Sequence, residues 1–102
     1  MSYDRWIADI ESEWSPEDGF LWKLRQGQFE LETCRRVLEK LTTISIEPEG
    51  TIPKRLVSLL WYIPLFMGWQ VGRVEEGGAD PVAYQRAVAE ITNEIERLLG
   101  TP

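Results

Sequence analysis

A chain of 102 residues with 11 Lys and Arg against 17 Asp and Glu has a formal net charge of −6, and it contains no histidine. The missing imidazole removes the commonest general base and a frequent metal ligand, while the acidic balance disfavours direct binding of a nucleic acid, which requires clustered cations. With 43% hydrophobic residues and five Trp, the length suits one helical domain over 1–102 with a single core, and disorder is not expected.

The first segment, Tyr3 to Trp14, spaces Tyr3, Trp6, Ile7, Ile10 and Trp14 by threes and fours, one face of an α-helix. Asp4 and Glu11 flank that face on one side and Asp9 and Glu13 on the other, so its exposed surface is predicted to be acidic. Ser15-Pro16-Glu17-Asp18 reads as a break and a new start, with Ser as N-cap and Pro at the first helical position. The second helix is predicted to run to about Gln26, burying Phe20, Leu21 and Leu24 and turning Trp22 away, with Gly27 ending it in a left-handed conformation. A third helix from Gln28 or Phe29 to about Thr43 places Leu31, Cys34, Val37, Leu38 and Leu41 inward and Glu32, Arg36, Glu39 and Lys40 outward.

Pro48 and Gly50 make Ile44 to Thr51 a loop, and Pro53 opens the fourth segment. From Leu56 to Gly72 the chain holds 17 consecutive uncharged residues, the lower limit of roughly 17 for a spanning helix. Ser58, Pro64, Gly68, Gln70 and Gly72 interrupt the run, which favours a buried central helix with Trp61 and Trp69 in the core. Pro64 removes a backbone donor, so a kink or break is expected near Tyr62 and Ile63. Glu75-Glu76-Gly77-Gly78 reads as a connector. Asp80-Pro81 repeats the cap-then-proline start, and Tyr84, Val88, Ile91, Ile95 and Leu98 mark a last helix that Gly100 terminates. The expected fold class is all-α, a single compact bundle of about five helices.

Three roles are open to such a chain. Glu90 and Glu94 lie opposite the Tyr84, Val88, Ile91 face and Glu75 and Glu76 lie in a turn, so a carboxylate metal centre would lack converging ligands, and no metal or cofactor is expected. Nucleophilic catalysis lacks a His beside Cys34 or any Ser, and Gly77-Gly78 has no lysine to reach a phosphate. An enzyme is therefore not expected. The third is binding: Asp4, Asp9, Glu11, Glu13, Glu17 and Asp18 form a candidate surface for a basic protein partner, joined by Trp22 if that residue, outside the core pattern, does not instead pack under another helix. A lone cysteine and the lack of a signal peptide suit the cytoplasm, with no membrane partner and a monomer or homodimer as the state.

In its small size, its acidic helix Asp4 to Glu13 and its acidic loops Glu47-Pro48-Glu49 and Glu75-Glu76, the chain resembles the immunity proteins of bacterial toxin systems, colicin-type and contact-dependent antitoxins among them. That resemblance implies a stoichiometric inhibitor of a basic toxin, commonly a nuclease, with carboxylates standing in for phosphates. Two alternatives stay open. One is a structural or homo-oligomerisation module that buries the Leu56 to Trp69 surplus against a second copy, and the other is a carboxylate metal-dependent enzyme.

Overall fold

The apolar spacings resolve into six α-helices among residues 3–102, the part of the chain that the computed structural model describes. They are α1 (Tyr3–Glu11), α2 (Phe20–Arg25), α3 (Leu31–Thr43), α4 (Lys54–Trp69), α5 (Val71–Glu76) and α6 (Pro81–Leu99), with one 3-10 turn at Ser12–Trp14. No strand occurs among the described residues, and the fold is an all-α bundle. The four longer helices form a ring: α1 packs on α3 and α4, and α6 packs on the same two from the other side. The short α2 is wedged against α3, α4 and α5.

The core inside this ring is built from Ile10, Phe20, Leu21, Leu24, Val37, Leu41, Leu56, Leu60, Ile63, Met67, Val74, Tyr84 and Ile91, each essentially without solvent contact. Tyr84 buries its ring there and satisfies its hydroxyl by donating to the Met67 carbonyl at 2.7 Å, which ties α6 to α4. Burial pushes the Tyr84 phenol far above its ordinary value, so it stays neutral. Phe29, which precedes α3, stacks edge-on against Tyr84 at 5.0 Å and against Phe20 at 6.4 Å. At the chain's start, Tyr3 donates to the Thr51 carbonyl at 3.0 Å and Glu11 pairs with Arg55 at 2.8 Å, fastening α1 to the α4 end of the ring.

Several boundaries agree with the sequence. Gly27 takes φ 79° after α2, Gly100 takes φ 87° after α6, and the Asp80 carboxylate accepts the Val82 N–H with Pro81 at the first turn. Others move. The first helix stops at Glu11 and tightens into the 3-10 turn, and the second begins at Phe20 rather than at Pro16, because Ser15 to Asp18 forms a turn instead of a cap. The third begins at Leu31, whose side chain is exposed rather than inward.

The largest departure is α4. It runs through Pro64 without a break, and the interruption comes at Gln70, where α4 gives way to α5. Proline inside a helix costs about 3 kcal/mol, whereas burying a Leu, Ile, Phe or Met side chain contributes about 1.5 to 3 kcal/mol each. Leu56, Leu59, Leu60, Ile63, Phe66 and Met67 are buried on both sides of Pro64, so tertiary packing outweighs the local defect. Nor is α4 enclosed on all sides. One side of it stays open, and there Trp61 and Trp69, expected in the core, face outward.

Candidate functional site

The acids of the N-terminal corner occupy unlike positions. Glu13, expected on the exposed side of the first helix, is 1% exposed. Once α1 tightens into the 3-10 turn, the helical wheel no longer governs position 13, and the side chain swings under the start of α2. There Oε1 accepts the Phe20 N–H at 3.1 Å and Arg36 Nη2 at 2.7 Å, and Oε2 accepts Arg36 Nε at 2.8 Å and Lys40 Nζ at 2.7 Å. Glu13 thus satisfies the first N–H of α2, whose N-cap is Gly19, from seven residues upstream. Gly19 makes this possible, because a Cβ there would collide with the carbonyls of Glu13 and Ser15. Burial alone would raise the Glu13 pKa, but the hydrogen bonds from Arg36, Lys40 and Phe20 outweigh it and hold the carboxyl below its usual value.

The same cations serve the neighbouring acids. Asp18 meets Lys23 at 2.8 Å and Arg36 at 3.0 Å, and the Lys23 hydrogen bond leads the causes that lower its pKa. Lys40 also donates to the Asp9 carbonyl and to Ser12 Oγ, so α3 is laced to the end of α1. Glu11 is occupied by Arg55. Asp4 and Glu17 are exposed, Asp9 and Trp22 are half-buried. Arg36 and Lys40, expected outward, point into this network. Of the seven residues proposed from sequence, Glu13 and Asp18 converge on one network, Glu11 joins a different pair, and Trp22 makes no ring contact with the others among the described residues.

A second surface lies on the outward side of α4. Trp61, Leu65 and Trp69 recur at intervals of four residues and are 47%, 37% and 58% exposed. Tyr62, half-buried beside them, links the rings: it lies 5.4 Å from Trp61, 5.6 Å from Trp69 and 5.9 Å from Trp14, with Trp14 in turn 5.1 Å from the buried Phe66. The aromatic surface is therefore braced from below. Beside Ser58 a cleft of about 320 Å³ opens between Trp14, Arg55, Leu59 and Tyr62.

On the other flank, Gly68 and Gly72 are exposed, and a Cβ on either would meet nothing within 4 Å. Neither has a positive φ. Within a helix each costs about 0.5 to 1 kcal/mol relative to alanine, with no steric need for it inside the chain. Beyond the interruption Gln70 and Val74 are buried, like Ile63 and Met67 before it, while Gly72 and Glu76 are exposed.

The cysteine offers no nucleophile. Cys34 is 3% exposed, and burial, followed by the charge of Glu90, pushes its thiol up to about 11. A groove of about 750 Å³ between α1 and α3 is lined by Arg5, Trp6, Asp9, Arg36, Glu39, Lys40 and Thr43, a mixture of both signs. No group of three acids or thiols is arranged to hold a metal ion among the described residues, and no helix there is long and apolar enough to cross a membrane.

What the fold and these surfaces define is an all-α bundle whose outer helix carries a braced aromatic face. Comparison with protein-family models, curated proteins and solved structures finds no match.

Trp61, Leu65 and Trp69 are not distinguishable as surface residues from sequence, because an apolar run of this length looks the same whether a helix is enclosed or lies at the edge of a bundle. The signal that could have located them was the concentration of Ser58, Gly68 and Gly72 on one side.

Proposed function

We propose that this chain acts by binding another protein rather than by catalysis, and that the outward face of α4 is the surface it uses. The observation that carries the reading is the pair Trp61 and Trp69, each about half exposed on a rigid helix and supported by Tyr62 and Trp14. Scattered surface apolar residues need no explanation, but aromatic side chains grouped on one face are the usual energetic centre of a protein interface. The raised Cys34 thiol agrees with a role other than nucleophilic chemistry.

A narrower reading is favoured by charge: an immunity protein that neutralises a basic, nuclease-type toxin. A net charge of −6 would draw such a partner in, and the carboxylates of Asp9 and Glu17 make no ion pair among the described residues. The acidic contribution would then rest on these two rather than on Glu13 or Asp18.

The test is titration calorimetry against the product of the adjacent open reading frame. Trp61→Ala and Trp69→Ala are expected to weaken association at least about 30-fold, the range of an interface hot spot, while leaving the melting temperature nearly unchanged. Reversing Asp9 and Glu17 to Lys is expected to reduce its salt dependence. Association indifferent to both tryptophans would remove the α4 reading, and association indifferent to charge and salt would remove the immunity reading.

A further inference from the structure

We propose that the cleft between the beginnings of α3 and α6 is a docking site for a short segment of a partner protein, one that carries an apolar residue followed by a carboxylate. It shares no residue with the outward face of α4, so it goes beyond that reading and does not rest on it. The cleft holds about 270 Å³, under the roughly 300 to 1,000 Å³ of a small-molecule pocket and enough for a side chain or two. Cys34 and Ala87, both buried, form its floor. Arg97, near the end of α6, donates to the Leu41 carbonyl near the end of α3 at 3.0 Å, while the cleft joins the two beginnings, so these helices run side by side in one direction. Position along the cleft therefore follows residue number. Leu31 and Ala83 line its start, Arg35 and Arg86 its middle, and Leu38 and Glu90 its far end, seven residues beyond the start on each helix.

Apolar surface and charge together say what fits. Outside α4, the large hydrophobic side chains that the described chain leaves exposed are Leu31, at 53%, and Val82, at 66%, the first lining the start of the cleft and the second next to Ala83 in the chain. That end takes an apolar residue. In the middle, Arg35 and Arg86 are exposed and neither makes an ion pair among the described residues, although the chain has a net charge of −6 and Glu32, Glu39 and Glu90 each lie a helical turn away from one of them. Guanidinium groups match a carboxylate with their planar fork, and an apolar floor on one side strengthens the attraction by keeping water off it. Glu90 then sets the order, because a further acid at the far end would meet its carboxylate. Read from the start of the cleft, the occupant is apolar, then acidic, then neutral or basic.

The probe is the capped peptide Leu-Leu-Glu-Ala-Lys, titrated into the full chain and followed by amide chemical shifts. Saturable shifts are expected over residues 31–38 and 82–90, with a dissociation constant below about 1 mM. Leu-Leu-Gln-Ala-Lys is expected to bind at least about fivefold more weakly, as are Arg35→Gln and Arg86→Gln with the original peptide, while both variants keep the circular dichroism of the wild type because their side chains are exposed. Leu-Leu-Glu-Ala-Glu is expected to bind at least about threefold more weakly, a gap that Glu90→Gln narrows.

No saturable shift at about 5 mM peptide, equal binding of the Glu and Gln peptides, or arginine variants that bind like wild type would each overturn the proposal. Trp61→Ala is expected to leave peptide binding unchanged. Shifts confined to α4 would overturn the α3–α6 site and leave the aromatic face standing.

Discussion

At the corner where α1 turns toward α2, charge lies inside and is matched, whereas on the outward face of α4 aromatic surface is left exposed by the described residues. The two regions reverse what their residue types suggest. Glu13 is placed among four donor groups of three residues because an isolated buried carboxylate is prohibitively costly, and the network in turn fixes the 3-10 turn, the start of α2 and the flank of α3. Trp61 and Trp69 remain in water because they lie on the side of α4 away from Leu56, Leu60, Ile63 and Met67, which it buries. Composition locates neither outcome. Position within the ring decides both.

The contrast can be broken most severely at Glu13. Replacing Glu13 with Ala leaves Arg36 and Lys40 without their shared anion and the Phe20 N–H without an acceptor, with an expected loss of about 3 kcal/mol. In a domain of this size that corresponds to a fall in Tm of roughly 12 °C or more, readable by thermal denaturation. A loss under about 1 kcal/mol would mean that the network is incidental to stability.

Acid tests the same group without mutation. The folded pKa of Glu13 is depressed below its ordinary 4.5. Its contribution is therefore complete above the unfolded value, declines as pH falls through that value, and is lost below the folded one. Thermal denaturation should show a Tm that drops between about pH 6 and pH 3, with Glu13→Gln, which has no carboxylate there to protonate, falling less steeply. Parallel curves for the two proteins would assign the acid sensitivity elsewhere.

The smallest expected effect belongs to the α4 face. Gly68→Ala and Gly72→Ala should each stabilise the dilute protein by about 0.5 to 1 kcal/mol, because neither Cβ meets an obstacle and the unfolded chain loses freedom. Destabilisation at either site would show that the helix needs glycine there for a reason internal to the chain.

Most of the helices were legible because their cause is periodic: the Tyr84 to Leu98 spacing, the Asp80-Pro81 start and the glycine stops are local signals that tertiary structure had no reason to override. The candidate surface was legible only in part. Glu13 was misplaced because a wheel assumes that the helix continues, and two residues of 3-10 geometry are enough to redirect the side chain. Trp61 and Trp69 were misplaced because hydropathy reports that α4 needs cover and not that it lies at the edge. The short α5 escaped notice because it holds a single buried residue, Val74, too few to establish a period.

The attachment of α1 has a consequence for the order of events on the ribosome. Nine residues are too few for a helix to persist alone, the threshold being about 12 to 15. The elements against which α1 packs are α3 and α4, and α4 ends only at Trp69. Because α1 precedes both in the chain, it is made before the helices that fix it. At about 5 to 20 residues per second, Trp6, Ile7 and Ile10 wait several seconds uncovered. Throughout that wait Asp4, Asp9 and Glu11 keep the nascent segment charged, before Arg55 has been made to engage Glu11.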